Sequence, residues 1–343
     1  MTESRVVSGM RPTGRLHLGH YHGVLTNWLE LQRDYRCFFF VADWHALTSE
    51  YADTSALADN VTEMVIDWLS VGIDPERSVI FPQSAVKEHA ELFVLLSVIT
   101  PMAWLERNPT YKEQLREIKT RDLRTYGFFG YPVLQTADII LYKAHKVPVG
   151  VDQAPHIELA REITRRFNHF YGPVFPEPET LLTAAPKLLG TDGRKMSKSY
   201  DNAVYLSDDP GVVERKLRTM VTDTARKRRT DPGDPARCPF YESFHRLYSD
   251  DAVLEEVRSG CSTASMGCIE CKMKVIPLVL ERLEPVRKRR AELEGDPAVV
   301  DGILERGTGK AAALAAETMD EVRRAVGLSR RRAKARPPRC AGR

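Results

Sequence analysis

No stretch of this sequence stays apolar long enough to span a bilayer, and no signal peptide opens it, so a cytoplasmic location is expected. Cysteines are few, six in 343 residues, and a reducing compartment keeps them as thiols, so disulfides are not expected. A strong excess of one charge is missing too. Fifty Lys and Arg stand against 47 Asp and Glu, a net +3, which excludes a generic polyanion binder. No internal repeat is evident. With 43% apolar residues, the chain has enough core for one large or two ordinary domains.

Positive charge gathers in two places, Arg226-Lys227-Arg228-Arg229 and Arg330-Arg331-Arg332-Ala333-Lys334-Ala335-Arg336. The second, followed by Pro337-Pro338, reads as a disordered tail. Arg5-Val6-Val7-Ser8, Cys37-Phe38-Phe39-Phe40-Val41-Ala42 and Ser78-Val79-Ile80-Phe81 read as buried strands alternating with helical stretches such as Asn60 to Gly72. That alternation predicts a parallel sheet with crossover helices. Val147-Pro148-Val149-Gly150 is a further strand candidate, with Pro148 acceptable only near an edge or a strand end. After Gly190 strand signals fade, and residues 210–222, 251–259, 273–294 and 309–326 are helical in pattern. The fold class is therefore α/β, a parallel-sheet nucleotide-binding domain plus a smaller helical domain.

Two motifs carry chemistry. Pro12-Thr13-Gly14-Arg15-Leu16-His17-Leu18-Gly19-His20 sits between the first strand and a helical pattern set by Val24, Leu25, Trp28 and Leu29. A helix start offers unpaired N–H groups and the positive end of its dipole to a phosphate. His17 and His20 can donate to a triphosphate there, Gly9 and Gly14 permit tight turns, and Gly19 leaves room for an adenine or ribose. Lys195-Met196-Ser197-Lys198-Ser199 follows Gly190-Thr191-Asp192-Gly193-Arg194 and reads as a mobile loop. When pyrophosphate leaves an α-phosphate it gains charge, and mobile lysines that bind it best in the transition state accelerate the step.

These motifs resemble the His-Ile-Gly-His and Lys-Met-Ser-Lys-Ser elements of class I aminoacyl-tRNA synthetases, with Leu18 in place of the isoleucine. Similarity to the tryptophanyl and tyrosyl subgroup extends from Arg5 to Leu328. The resemblance implies a Rossmann-type domain over residues 1–190. It also implies the second motif and a helical anticodon-binding domain over 191–300, a C-terminal helix over 301–328 and a basic tail over 329–343. It implies activation of an amino acid by ATP and Mg²⁺, transfer to tRNA, and a homodimer. By the same resemblance His17, His20, Lys112, Lys195 and Lys198 manage phosphate charge. ATP contacts fall on Arg11, Pro12, Thr13, Gly19, His20, Gly150, Val151, Asp152, Leu188, Lys195, Met196, Ser197, Lys198 and Ser199.

The amino acid is read from Tyr131, Gln135 and Asp138, whose spacing puts them on one helix face. A carboxylate among Val133, Leu134, Ile139 and Leu141 is costly unless paired, so Asp138 has a structural partner or awaits a ligand donor. An indole N–H only donates and a carboxylate only accepts, so the two match, although a phenol is satisfied as well. Tyrosyl members share a similar Tyr, Gln and Asp arrangement. They also hold the substrate hydroxyl with a tyrosine where Val7 stands, and Val7 cannot hydrogen-bond a phenol. Sites built to bond a substrate group reject analogues lacking it by roughly 10⁴ or more. The run from Val147 through Leu159 to Asn168 also looks tryptophanyl. The resemblance thus implies tryptophan held by Val7, Gly9, His45, Tyr131, Gln135, Asp138 and Gln153, with tyrosine as the alternative. Many bacterial tryptophanyl members have Met, an aromatic and Asn where Gln135, Val7 and His20 stand, which points to a subgroup with a rearranged indole pocket.

Cys37 reads as a core thiol and Cys340 lies in the tail. The other four, Cys238, Cys261, Cys268 and Cys271, end in a Cys-x-x-Cys pair, and spacing alone allows zinc or an iron–sulfur cluster. Resemblance to a subset of bacterial tryptophanyl synthetases implies a four-iron four-sulfur (4Fe-4S) cluster near the anticodon, with Lys272 and Lys274 placed to meet phosphate.

Overall fold

The computed structural model describes residues 4–109, 111–112, 122–182 and 188–329. Cys340 and the basic tail from Arg330 onward lie outside the described residues.

The chain opens with β1 (Arg5–Met10), then α1 (Leu18–His20), a π-helical turn (Tyr21–Leu25) and α2 (Thr26–Asp34). Next come β2 (Arg36–Val41), α3 (Asp43–Glu50), α4 (Leu57–Ser70), β3 (Ser78–Pro82), α5 (Glu88–Ile99) and α6 (Met102–Glu106). After the undescribed stretch follow α7 (Tyr126–Leu141), β4 (Lys146–Val149), α8 (Ala154–Tyr171) and β5 (Glu179–Leu182). The remainder is helical: α9 (Pro210–Thr219), α10 (Arg246–Tyr248), α11 (Asp251–Ser262), α12 (Cys268–Glu294) and α13 (Pro297–Ala325).

The five strands form one parallel sheet in the order β3-β2-β1-β4-β5. Its centre is an unbroken apolar run because helices cover both faces. Along β2 the side chains alternate: Cys37, Phe39 and Val41 join the core beneath α2 and α4, and Phe38 and Phe40 join the core beneath α5 and α7. On the first side Trp28 stacks on Phe39 with ring centroids 4.2 Å apart, and on the second Phe38 stacks on Tyr142 at 5.0 Å. β5 is absent from the sequence reading. Its segment Glu179-Thr180-Leu181-Leu182 is short and half-exposed at the sheet edge, so it lacks the apolar signature that marks the other strands.

Helix ends move as well. α12 begins at Cys268 rather than near Met273, because Glu270 caps the N–H of Gly267. α13 begins at Pro297 rather than near Gly309, its early turns diluted by Gly302, Gly307 and Gly309. Gly307 has a packing reason, since a Cβ there would lie 1.8 Å from the carbonyl oxygen of Ile80 in β3. Through Ala311, Ala315, Met319 and Val322 this last helix completes the α5 and α7 side of the sheet core. The helical region shares the opposite core, where Phe240, Phe244, Val275, Val279 and Leu283 are continuous with the layer of Trp28 and Trp68. Among the described residues no helix is long and apolar enough to cross a membrane.

Candidate active site

The strand order reverses direction between β1 and β4, and parallel α/β sheets bind ligands at the carboxyl ends of strands beside such a switch point. Here the β1–β4 ladder registers only at Val6 and Lys146. Two residues on, Pro148 has no N–H to give. The strands part beyond it, and a cavity of about 400 Å³ opens between Val7–Met10 and Val147–Gly150. The proline that the sequence tolerated only at an edge or strand end thus stands beside the crevice, paired in register with Leu181 on the β5 side.

All seven residues expected around the amino acid line this cavity: Val7, Gly9, His45, Tyr131, Gln135, Asp138 and Gln153. Arg11, His20 and Gly150, expected to meet ATP, line it too. Phe40, Phe128, Ile139 and Val149 add apolar wall that the motif reading missed. Tyr131 shares a hydrogen bond with His156 Nε2 at 2.7 Å, and burial raises its phenol to about 12. Gln153 donates to Asp152 Oδ2 at 3.0 Å.

Asp138, 1% exposed, is held from behind by His45 and by two residues the sequence did not single out, Gln83 and His89. His45 Nε2 meets Oδ2 at 2.7 Å, while Gln83 Nε2 and His89 Nδ1 both meet Oδ1 at 2.7 Å. His89 passes its other nitrogen to the Tyr142 hydroxyl at 2.7 Å. Burial pushes the carboxyl up, but the charge and hydrogen bonds of His45 and His89 outweigh it and hold Asp138 at about 2. Three neighbours occupy three of about four acceptor positions of a carboxylate. One lone pair remains for a ligand donor.

At the nucleotide side the His17 and His20 rings lie tilted against each other with centroids 3.8 Å apart. Burial, reinforced by Lys198 and Lys195, lowers His17 to about 4, and burial with the charge of His17 lowers His20 well below its ordinary range. Both rings are neutral at pH 7, each with one N–H to give. The space over Gly19 is taken by the His17 ring, since a Cβ there would come within 2.9 Å of its Nδ1 and Cε1. Gly19 therefore makes room for its own neighbour, rather than only for an adenine. His17 Nδ1 is buried against Gly19 without a hydrogen-bond partner.

The second motif is tied to the first. Leu18 N–H donates to Val204 O at 2.9 Å and Leu206 N–H to Leu16 O at 3.0 Å. Asn202, another residue outside the motif reading, fastens the loop through Ser197 N–H, Asp192 and the Lys195 carbonyl. Leu188 and Met196 are core side chains, 3% and 4% exposed, joined by a backbone hydrogen bond of 2.9 Å. Lys195, Ser199, Val151 and Asp152 are exposed, and Lys198 reaches back to Thr13 and Gly14. Thr13 closes a turn on Arg11 O, with Pro12 between them. Lys112 is exposed, and the residues after it, 113–121, are outside the described ones.

Residues 1–284 match the family of class I tRNA synthetases for tryptophan and tyrosine (W and Y). The chain belongs to that family. A tryptophan–tRNA ligase of Thermotoga maritima is 51% identical over 325 residues, covering 94% of this chain and 99% of the relative. One from Ralstonia nicotianae is 44% identical over 399 residues, covering 96% and 100%. The crystal structure of tryptophanyl-tRNA synthetase from Campylobacter jejuni complexed with ADP and tryptophan matches with a TM-score of 0.84 at 34% identity, covering 94% of this chain and 100% of that one.

In this synthetase the four spaced cysteines converge. Burial raises the Cys271 thiol to about 12, with Cys238, Cys261 and Cys268 adding to the rise, and burial likewise raises Cys238 and Cys261. Thr222 and Arg226 donate to Cys268 Sγ at 3.8 and 3.9 Å, and His245 Nε2 meets Cys271 Sγ at 3.2 Å. Among the described residues no three His, Cys, Asp or Glu side chains form a group able to hold a metal ion. The side chains as they stand therefore form neither the zinc set nor the cluster set that the spacing allowed.

The basic residues here depart from the sequence reading. Lys272, 3% exposed, is spent on the carbonyls of Arg218 and Met220 and lies over the Phe240 ring, and Lys274 pairs with Glu256 at 2.9 Å. Arg226 and Arg229 brace the cysteine loop through the carbonyls of Met266, Ala264 and Ser265. Lys227 and Arg228 remain as exposed cations.

Proposed function

We propose that the chain activates L-tryptophan with ATP to tryptophanyl-adenylate, releasing pyrophosphate, and then transfers the tryptophanyl group to tRNA(Trp). The observation that carries this reading is the ionised Asp138 in the wall of an apolar crevice that opens onto His20 of the first motif. The remaining acceptor position of Asp138 suits an indole N–H, and Val7 supplies contact without a partner for a phenol. A tryptophan carboxylate oxygen attacks the α-phosphorus in line, forming the acyl–phosphate bond as the bond to pyrophosphate breaks. The carboxylate is already ionised, so no protein base is needed and positioning supplies most of the rate. The N–H groups of His17 and His20 and the cations of Lys195, Lys198 and Lys112 take up the phosphate charge. Mg²⁺ enters on the substrate phosphates, as is usual for this ion. Pyrophosphate exchange into ATP, run with each of the twenty amino acids, tests the reading. Exchange dependent on tryptophan alone is expected, and exchange driven by tyrosine overturns it.

We further propose that Cys238, Cys261, Cys268 and Cys271 hold a 4Fe-4S cluster. The reading is supported by the order of the four cysteines, which ends in a Cys-x-x-Cys pair, and by the burial of Cys238. When bound, the cluster would cross-link the Arg226–Cys238 segment to α11 and α12. Exposed Val94, Val98, Met102 and Tyr126 support pairing of two copies, which light scattering checks.

A further inference from the structure

Asp67 lies on α4 with no exposed surface. Its Oδ2 accepts the backbone N–H of Leu16 at 3.0 Å, and its Oδ1 takes the guanidinium of Arg290 from α12. Arg290, 5% exposed, also binds Glu63 one turn earlier on α4 and Glu294 on its own helix. Burial raises the Asp67 carboxyl to about 6 against the pull of Arg290 and the Leu16 N–H. A buried carboxylate with one cationic partner depends on that partner for its charge.

Leu16 is the junction of the nucleotide site. It directly precedes His17, and its carbonyl accepts the N–H of Leu206 from the segment that follows the second motif. One side chain therefore grips the residue at which both motifs meet. On the far side of the first motif, His22 Nε2 meets the Tyr248 hydroxyl of α10 at 2.7 Å, a second polar contact from the helical region. The helix that carries Arg290 begins at Cys268, and 22 residues of helix span roughly 33 Å. The cysteine region and the nucleotide loop are thus two ends of one element.

We propose that Arg290 is a positioning residue for adenylate formation: by keeping Asp67 ionised and oriented it fixes Leu16, and with it His17 and His20, and so couples α12 to the ATP site. The inference rests on the adenylation reading above, and its test separates the two.

Tryptophan-dependent pyrophosphate exchange is measured for the wild type, Arg290→Gln, Arg290→Lys and Asp67→Asn at varied ATP and varied tryptophan, with tryptophan binding by equilibrium dialysis in the absence of ATP. Arg290→Gln is expected to lose about tenfold or more in kcat/KM for ATP, the scale of a small misplacement of reacting groups, with tryptophan affinity unchanged. Asp67→Asn follows in the same direction. Arg290→Lys recovers part of the loss, since it keeps the charge but not the fork that reaches two carboxylates. Wild-type ATP kinetics in folded Arg290→Gln overturn the proposal, and so does an equal loss for tryptophan and ATP, which would mark a merely structural pair. If Arg290→Gln does not fold, folded Arg290→Lys and Asp67→Asn decide by the same criterion. A wild-type protein without tryptophan-dependent exchange overturns the functional reading itself, and the proposal with it.

Discussion

Lys198 donates from its ammonium to the carbonyl oxygen of Gly14 at 2.7 Å, so a cation of the second motif is parked on the turn of the first. Burial lowers Lys198 to about 8, with the charge of Asp67 partly opposing the fall. Its proton is less secure than that of a surface lysine.

The pH dependence of kcat/KM for ATP reports groups of the free enzyme. Lys198 is cationic below about 8 and neutral above, so kcat/KM is expected to fall as pH rises through that value. His17, near 4, is already neutral and adds no limb around 6.5. Lys198→Arg keeps its charge and should lose the alkaline limb, although at a lower plateau. Persistence of the limb in that variant removes Lys198 as its source.

Asp138→Asn replaces an acceptor-only carboxylate that three side chains hold. A hydrogen bond to a charged group is worth about 1.5–3 kcal/mol, so tryptophan activation should drop roughly ten- to a hundredfold, together with the preference for tryptophan over a benzothiophene analogue. The folded pKa of about 2 lies below the ordinary 3.8. The stabilisation is therefore present above 3.8 and lost as pH falls toward 2, about 2 kcal/mol in all. Urea unfolding at neutral pH should show that loss in the variant, and an unchanged midpoint with unchanged analogue discrimination would contradict both roles.

Lys272→Met is expected to act on stability rather than on tRNA. It strips donors from the buried carbonyl of Met220 and the part-buried carbonyl of Arg218, a cost of about 1–3 kcal/mol that thermal unfolding reads. Lys227→Ala with Arg228→Ala should leave unfolding unchanged, weaken tRNA binding and reduce its salt slope by about one per lost phosphate contact. The reverse pattern would return Lys272 to the tRNA surface.

Anaerobically purified protein is expected to be brown with about four irons per chain and acid-labile sulfide. One tightly held zinc without sulfide defeats that. Cys268→Ser should mainly weaken tRNA charging and spare pyrophosphate exchange, because the Arg290–Asp67 pair that reaches the nucleotide loop lies 22 residues farther along α12. Loss of both in a folded variant would make the thiol region part of activation.

Four of the five strands were legible because burial on both faces leaves an unbroken apolar run, and β5 was not because an edge strand needs only half of one. Helix period set Tyr131, Gln135 and Asp138 on one face, whereas Val7, Gly9, His45 and Gln153 came from the family resemblance; all seven line the one cavity. Gln83 and His89 could not be placed, since a polar side chain in a helix reads as solvated until the sheet sets it against Asp138. Arg290 and Asp67 are 223 residues apart, beyond any local pattern. Lys272 was misjudged for a related reason: a lysine beside a cysteine pair looks exposed until its carbonyl partners are known.

The contact of Gly307 with Ile80 has a consequence for synthesis. The turns of α13 that cover β3 and α5 are translated long after the strands, so the sheet can assemble while the face of Phe81, Leu92 and Leu96 is still wet. At about 5–20 residues per second the ribosome needs roughly ten to fifty seconds to travel from β3 to Ala311. Through that interval the nascent chain presents apolar surface to whatever meets it, and closure of this core waits on α13 rather than on the strands.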